Sequence, residues 1–242
     1  SVVYSNTASV SLYAATTLYA KWTAGTYSVT FDSNTATSGS ITTTRWTQST
    51  PGESLVIQNS GTLAKLGFSF TGWNTLANGL GTMIQPGTTV TPQGPLTYYA
   101  TWVADTFTVT FDANGGTGSM TAQRFTAGVG QALTSNANLI TRTGFTFAGW
   151  TTNANGSGTS YTNNQSVTLY AGVTLYAKWN ANTYAVLFGS NTATGPATMP
   201  NQNFSAGTPF NLNTSLWYKD GHDFAGWSAA AGTQAILYTQ NQ

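Results

Sequence analysis

The single histidine, His222, stands between two carboxylates, Asp220 and Asp223. An imidazole flanked by acids is the residue set of a metal site or of general acid–base catalysis. The other acids are Asp32, Glu53, Asp105 and Asp112, and the chain has no cysteine nucleophile. Asp32 and Asp112 occupy equivalent places in a repeat, so they stand about one repeat apart instead of forming a pair. His222 takes the place that Phe68 and Phe145 hold in two other repeats. Two carboxylates and one imidazole without support from a second repeat fall short of a site. The expectation is a structural histidine at a core-facing position, with no metal, no cofactor and no catalytic residues.

Binding chemistry is otherwise aromatic and amide. Eight Trp and twelve Tyr offer faces on which sugars can stack. Trp73, Trp150 and Trp227, like Trp22, Trp102 and Trp179, recur at fixed register, as a core position repeated in every module would. Tyr19, Tyr99 and Tyr176 alternate against that face and are expected as surface contacts to a protein or glycan. Asn-Gly turns follow Trp73 and Trp150, but calcium wants carboxylates among its oxygen ligands and these turns have none.

Composition narrows the field. Charged residues make up 5% of the chain, against about a quarter in an ordinary soluble domain. A formal charge of +1 offers little to phosphate backbones or anionic lipid, which excludes nucleic acid and electrostatic membrane binding as expected partners. No run approaches the roughly 18 apolar residues of a membrane helix. Few charges and no cysteine suit an extracellular or cell-surface protein. Without an initiator Met or signal peptide, the 242 residues read as a processed or excised product.

The elements that would position these side chains are repeated. Val167–Trp179, V-T-L-Y-A-G-V-T-L-Y-A-K-W, recurs at Val10–Trp22 and Val90–Trp102. In this cassette Leu18, Ala20 and Trp22 point one way and Thr17, Tyr19 and Lys21 the other, the period of a strand with one buried face. Phe-x-Gly-Trp appears at Phe70–Trp73, Phe147–Trp150 and Phe224–Trp227. An opening strand appears at Tyr27–Asp32, Phe107–Asp112 and Tyr184–Gly189. Each repeat thus begins with the opening strand and a Gly/Asn loop suited to positive φ, such as Ala113-Asn-Gly-Gly116. A second short strand follows, near Thr43–Trp46, Ala122–Phe125 and Gln202–Phe204. The less regular segments Leu55–Leu66, Leu133–Arg142 and Phe210–Lys219 could hold helical turns. A basic residue (Lys65, Arg142, Lys219), the Phe-rich strand, a polar turn and the cassette complete the unit. Short linkers, Val103–Thr106 and Asn180–Thr183, join the units. The architecture expected is mainly β: a closing segment at 1–22, modules at 27–102 and 107–179, and a third at 183–242 without its closing strand.

These markers carry a resemblance. V-T-F-D-A-N-G-G at Val109–Gly116, G-F-T-F-A-G-W at Gly144–Trp150, N-G-S-G-T-S-Y at Asn155–Tyr161 and the cassette resemble the Listeria-Bacteroides repeat, also called the internalin B-repeat. The first repeat departs at Pro92–Pro95, and the third at Phe188-Gly189 and His222. The resemblance implies small α+β, β-grasp-like modules strung along bacterial surface proteins as stalks, spacers and adhesive elements. It supplies no catalytic residues.

The two ends of the sequence are complementary. Tyr238–Gln242 matches Tyr161–Gln165, which precedes a cassette, while the N-terminal cassette has no module before it. A face formed by Val10, Leu12, Leu18, Ala20 and Trp22 is therefore expected to complete an acceptor formed by Tyr184, Val186, Phe188, Phe224 and Trp227. The donor would be a neighbouring subunit, giving a head-to-tail filament, or a preceding stretch of a longer repeat chain. Tyr4–Ala8 also matches Tyr161–Gln165, so a donated strand would duplicate that short approach. The functional expectation is an extracellular structural protein, with a surface adhesin or carbohydrate-binding module as the alternative.

Overall fold

The computed structural model describes residues 3–23, 25–47 and 53–231, the side chains of 44–47 excepted. The approach segment Tyr238–Gln242 lies outside the described residues. The chain divides into two compact units, Ser1–Thr106 with Thr126–Gly128, and Phe107–Phe125 with Val129–Gln242.

Alternating apolar and hydroxyl side chains make the first unit a sheet protein. Its strands are β1 (Thr26–Asp32), β2 (Thr44–Thr47), β3 (Leu55–Val56), β4 (Phe68–Asn74), β5 (Met83–Ile84), β6 (Thr89–Val90) and β7 (Leu96–Ala104). Five of them form one sheet in the order β2-β1-β7-β4-β5, and β3 pairs with β6 beside it. The last strand in sequence, β7, is thus the middle strand in space. It runs parallel to β1, from Val29 beside Leu96 to Asp32 beside Tyr99, and antiparallel to β4, from Phe68 opposite Ala104 to Asn74 opposite Tyr99. Val29, Phe31, Trp73, Tyr98 and Ala100 face the core with Ile57 and Leu63. Burial raises the pKa of Tyr98, so its hydroxyl stays neutral in the fold.

The second unit repeats this plan with β8 (Thr106–Asp112), β9 (Thr117–Gly118), β10 (Gln123–Thr126), β11 (Gly130–Ala132), β12 (Ile140–Thr141), β13 (Phe145–Thr151), β14 (Ser160–Tyr161), β15 (Ser166–Thr168) and β16 (Val173–Ala181). The main sheet is β10-β8-β16-β13-β14, with β11 paired to β15 and β12 to β9. Val109, Trp150, Leu175 and Ala177 are completely buried in its core. On the outer side hydroxyls face one another instead, such as Thr110 Oγ1 and Thr174 Oγ1 at 2.9 Å. Such pairs let a sheet with few charges stay wet on one face. The third repeat contributes β17 (Thr183–Val186) and β18 (Gln202–Ser205), paired antiparallel.

The mainly β reading holds, and three finer expectations change. Leu55–Leu66, Leu133–Arg142 and Phe210–Lys219 form turns, short bridges and two-residue strands, with no helix among the described residues. The cassette is not one strand. Its first half (β6, β15) joins a small second sheet, and only its second half (β7, β16) enters the main one. The linkers shrink to a single residue, because β7 ends at Ala104 and β8 begins at Thr106, while β16 ends at Ala181 and β17 begins at Thr183. Asn182 holds its place by donating from its N–H to Gly144 O and accepting at its own carbonyl from Ala206 N–H, both at 2.9 Å. Thr146 Oγ1 also donates to its Oδ1 at 2.6 Å.

Phe-x-Gly-Trp works through a bulge. Phe147 pairs with Trp179 and Gly149 with Lys178, a register shift that places Phe147 and Trp150, three apart, on the same face. Their rings then meet edge to face at 5.0 Å. Gly149 has φ of 117°, and a Cβ there would lie 2.4 Å from Tyr161 O. Gly149→Ala is therefore expected to lower the unfolding free energy of this module by at least about 2 kcal/mol. Denaturant unfolding followed by Trp fluorescence checks this, and a loss below about 0.5 kcal/mol, the size of an ordinary surface change, would contradict it.

Candidate functional site

The titratable residues do not assemble. His222 is exposed, not core-facing as its repeat position suggested, and its Nδ1 lies 2.8 Å from Asp220 O. The equivalent Phe side chains explain the correction. Phe68 and Phe145 are half-buried at the strand end, each covered by the basic residue of its repeat, Lys65 at 4.5 Å and Arg142 at 4.0 Å. That position is an edge with a cation–π lid, so a histidine there meets water. Among the described residues no group of three or more His, Cys, Asp or Glu is placed to hold a metal ion. Asp32 and Asp112 cap turns: each accepts at Oδ1 from the N–H of Asn34 or Asn114 at 2.7 Å. Tyr19 is 88% exposed, whereas Tyr99 and Tyr176 are half-buried on the outer face of the middle strands.

What the structure does assemble is a cavity in the third repeat. It measures about 1400 Å³ and is lined among others by Val186, Phe188, Phe204, Phe210, Phe224 and Trp227. Four of the five expected acceptor residues line it. The fifth, Tyr184, instead packs on Phe204 at 5.8 Å between ring centres. In the two filled modules the equivalent space is occupied by β7 or β16, inserted between the opening strand and the Phe-rich strand. The side chains record the difference. Val29 and Val109 are completely buried, as are Trp73 and Trp150, but Val186 and Trp227 are only half-buried. Phe224–Trp227 forms no strand among the described residues, although Gly226 keeps the bulge conformation with φ of 144°.

Aromatic packing shows what would fit. Phe70 lies edge to face against both Trp73 (5.2 Å) and Trp102 (5.7 Å), and Phe147 against both Trp150 (5.0 Å) and Trp179 (5.6 Å). Phe224 meets Trp227 at 5.0 Å and stays 40% exposed. The repeat equivalent of its second partner is Trp22, which is 88% exposed. The N-terminal cassette joins no strand ladder among the described residues, and Val10, Leu12 and Leu18 are also open to water. An exposed apolar face on the N-terminal cassette and an open cavity in the third repeat thus coexist.

A further residue, read from sequence only as a turn former, secures the middle strand. Asn114 adopts φ of 48°, and its Nδ2 donates to Ala177 O of β16 and to Ala154 O, both at 2.9 Å. Asn34 does the same in the first module, to Ala100 O of β7 at 2.8 Å and Ala77 O at 3.1 Å. The middle Trp is fixed nearby, with Trp179 Nε1 donating to Ala113 O at 3.0 Å and Trp102 Nε1 to Ser33 O at 3.2 Å. The recurrence of Asn at 34, 114 and 191 was the available signal.

A sequence model of the Listeria-Bacteroides repeat domain matches three tandem stretches, residues 27–101, 107–178 and 184–242. No curated protein and no solved structure matches the chain. No helix among the described residues is long and apolar enough to cross a membrane.

Asn114→Gly retains the left-handed backbone but removes both carboxamide bonds, leaving the part-buried Ala177 carbonyl and the exposed Ala154 carbonyl without that donor. The second module is expected to lose about 1–3 kcal/mol of unfolding free energy, measured by denaturant titration. Unchanged stability would show that the carboxamide secures nothing.

Proposed function

The chain belongs to the Listeria-Bacteroides repeat domain family, and from that premise we propose an extracellular structural protein whose β modules form a surface stalk or filament. Each module is completed by a closing strand, and the N-terminal cassette supplies that strand to a third-repeat acceptor, either of a neighbouring subunit or of a preceding chain segment. The role is mechanical and non-enzymatic, and copies of the same chain are the partners. The observation that carries this reading is the cavity of about 1400 Å³ in the third repeat, which occupies the place that β7 and β16 fill in the other modules.

Physical chemistry favours the exchange. Burying Leu18 and Trp22 removes apolar surface worth about 1.5–3 kcal/mol per side chain. Pairing two backbone edges satisfies groups that otherwise compete for water. A strand donated by one copy to the far end of the next makes a heterologous contact that repeats without closing on itself, which is the geometry of a fibre. Asp105 and Asn182 are the single residues between one closing strand and the next opening strand.

Light scattering and electron microscopy of the 242-residue chain test the reading. Head-to-tail assemblies are expected, and deletion of residues 1–22 should abolish them without loss of either five-stranded sheet, since residues 3–22 join neither sheet. A copy of residues 1–22 fused after Gln242 should yield a monomer. A stable monomer of the intact chain at high concentration would overturn the proposal.

A further inference from the structure

We propose that Asn191 reads the strand entering the third-repeat slot and locks it in one register, so that the acceptor takes residues 16–22 of a second copy of this chain. This deepens the strand-donation reading and rests on it.

Asn191 stands where Asn34 and Asn114 stand, with the same left-handed backbone, φ of 46° against 43° and 48°. Those two residues each donate to a carbonyl of a middle strand. Asn191 is exposed, and its carboxamide makes no hydrogen bond among the described residues. The backbone around it is therefore already set for a strand, while the donor group has nothing to hold. A left-handed turn costs free energy to maintain in a β-branched residue such as Thr192, which has φ of 67° and follows Asn191 immediately. The third repeat bears that strain with only the receiving half of the contact in place.

The pairing of β16 fixes the register when carried over by repeat position. Val173–Tyr176 lie beside Val109–Asp112, and Trp150 and Phe147 lie opposite Ala177 and Trp179. The donated strand then sets Thr17 beside Leu187 and Leu18 beside Phe188, with Ala20 opposite Trp227 and Trp22 opposite Phe224. In that register Asn191 Nδ2 meets Ala20 O, as Asn114 meets Ala177 O. A slip of one residue would turn Leu18 and Trp22 to water. A slip of two would keep the apolar face inward but would put Leu18 or Trp22 against Trp227, the place that Ala100 and Ala177 hold in the filled modules. Asn191 and the small residue at position 20 thus select one alignment among those that alternation alone allows.

The chain has no cysteine, so introduced cysteine pairs report register without background. Thr110 and Thr174 touch through their hydroxyls at 2.9 Å, which makes Thr17→Cys with Leu187→Cys the in-register pair and Tyr19→Cys with Leu187→Cys the pair shifted by two. In the full-length chain under mild oxidation, the first pair should link copies into a covalent ladder and the second should not. Adding Asn191→Gly, which preserves the turn, should weaken assembly roughly tenfold and let the shifted pair form. Assembly with equal linking of both pairs, or an in-register ladder indifferent to Asn191→Gly, would overturn this inference and leave strand donation standing. No assembly by any variant, the intact chain included, would overturn both.

Discussion

The structure depends on one pairing: the closing strand lies between the opening strand and the Phe-rich strand, parallel to one and antiparallel to the other. The buried apolar clusters of both described modules are built around that strand. In the second module Leu175 and Ala177 are completely buried, and Trp179 completes the ring pair around Phe147. The strand is last in sequence and central in space, so the sheet is split until it arrives. A module of under about 80 residues has too small a core to tolerate such a split. In the third repeat the described strands form a two-stranded ladder, Val186 and Trp227 are half-buried, and a cavity of about 1400 Å³ lies beside them.

This topology also explains the linkers and the surface. Because the closing strand runs on into the next opening strand with one residue between them, each module hands its last element to its neighbour's first. Low charge is compatible with that plan, since outward Thr pairs satisfy one another and water. Asn34 and Asn114 serve as fixing groups, each donating to carbonyls of two separate segments. A neutral carboxamide suits this task because it holds two donors and carries no desolvation penalty of a charge.

Much of this was legible in the sequence where a simple period governs it. The alternation of Leu18, Ala20 and Trp22 gives the buried face that their equivalents Leu175, Ala177 and Trp179 adopt. Other features escaped because they break the period. The bulge at Gly149 brings Phe147 and Trp150 to one face at a spacing that neither strand nor helix alternation suggests. The bend inside the cassette, marked in the first module by Pro92 and Pro95, divides it between two sheets. His222 was misplaced because its repeat partners, Phe68 and Phe145, look like core residues while in fact lying under Lys65 and Arg142 at an edge. Asn114 was read only as a turn former, since nothing in one sequence distinguishes an amide that makes a turn from one that also reaches across to a strand.

Native-state amide hydrogen exchange of the third repeat measures the central dependence most directly. The chain lacking residues 1–22 would be compared before and after addition of a peptide of residues 1–22. The amides of Val186 and Phe188 are expected to exchange fast alone and to approach the protection of Val109 and Phe111 once the peptide is bound. Equal protection of Val186 and Phe188 with and without the peptide would contradict it.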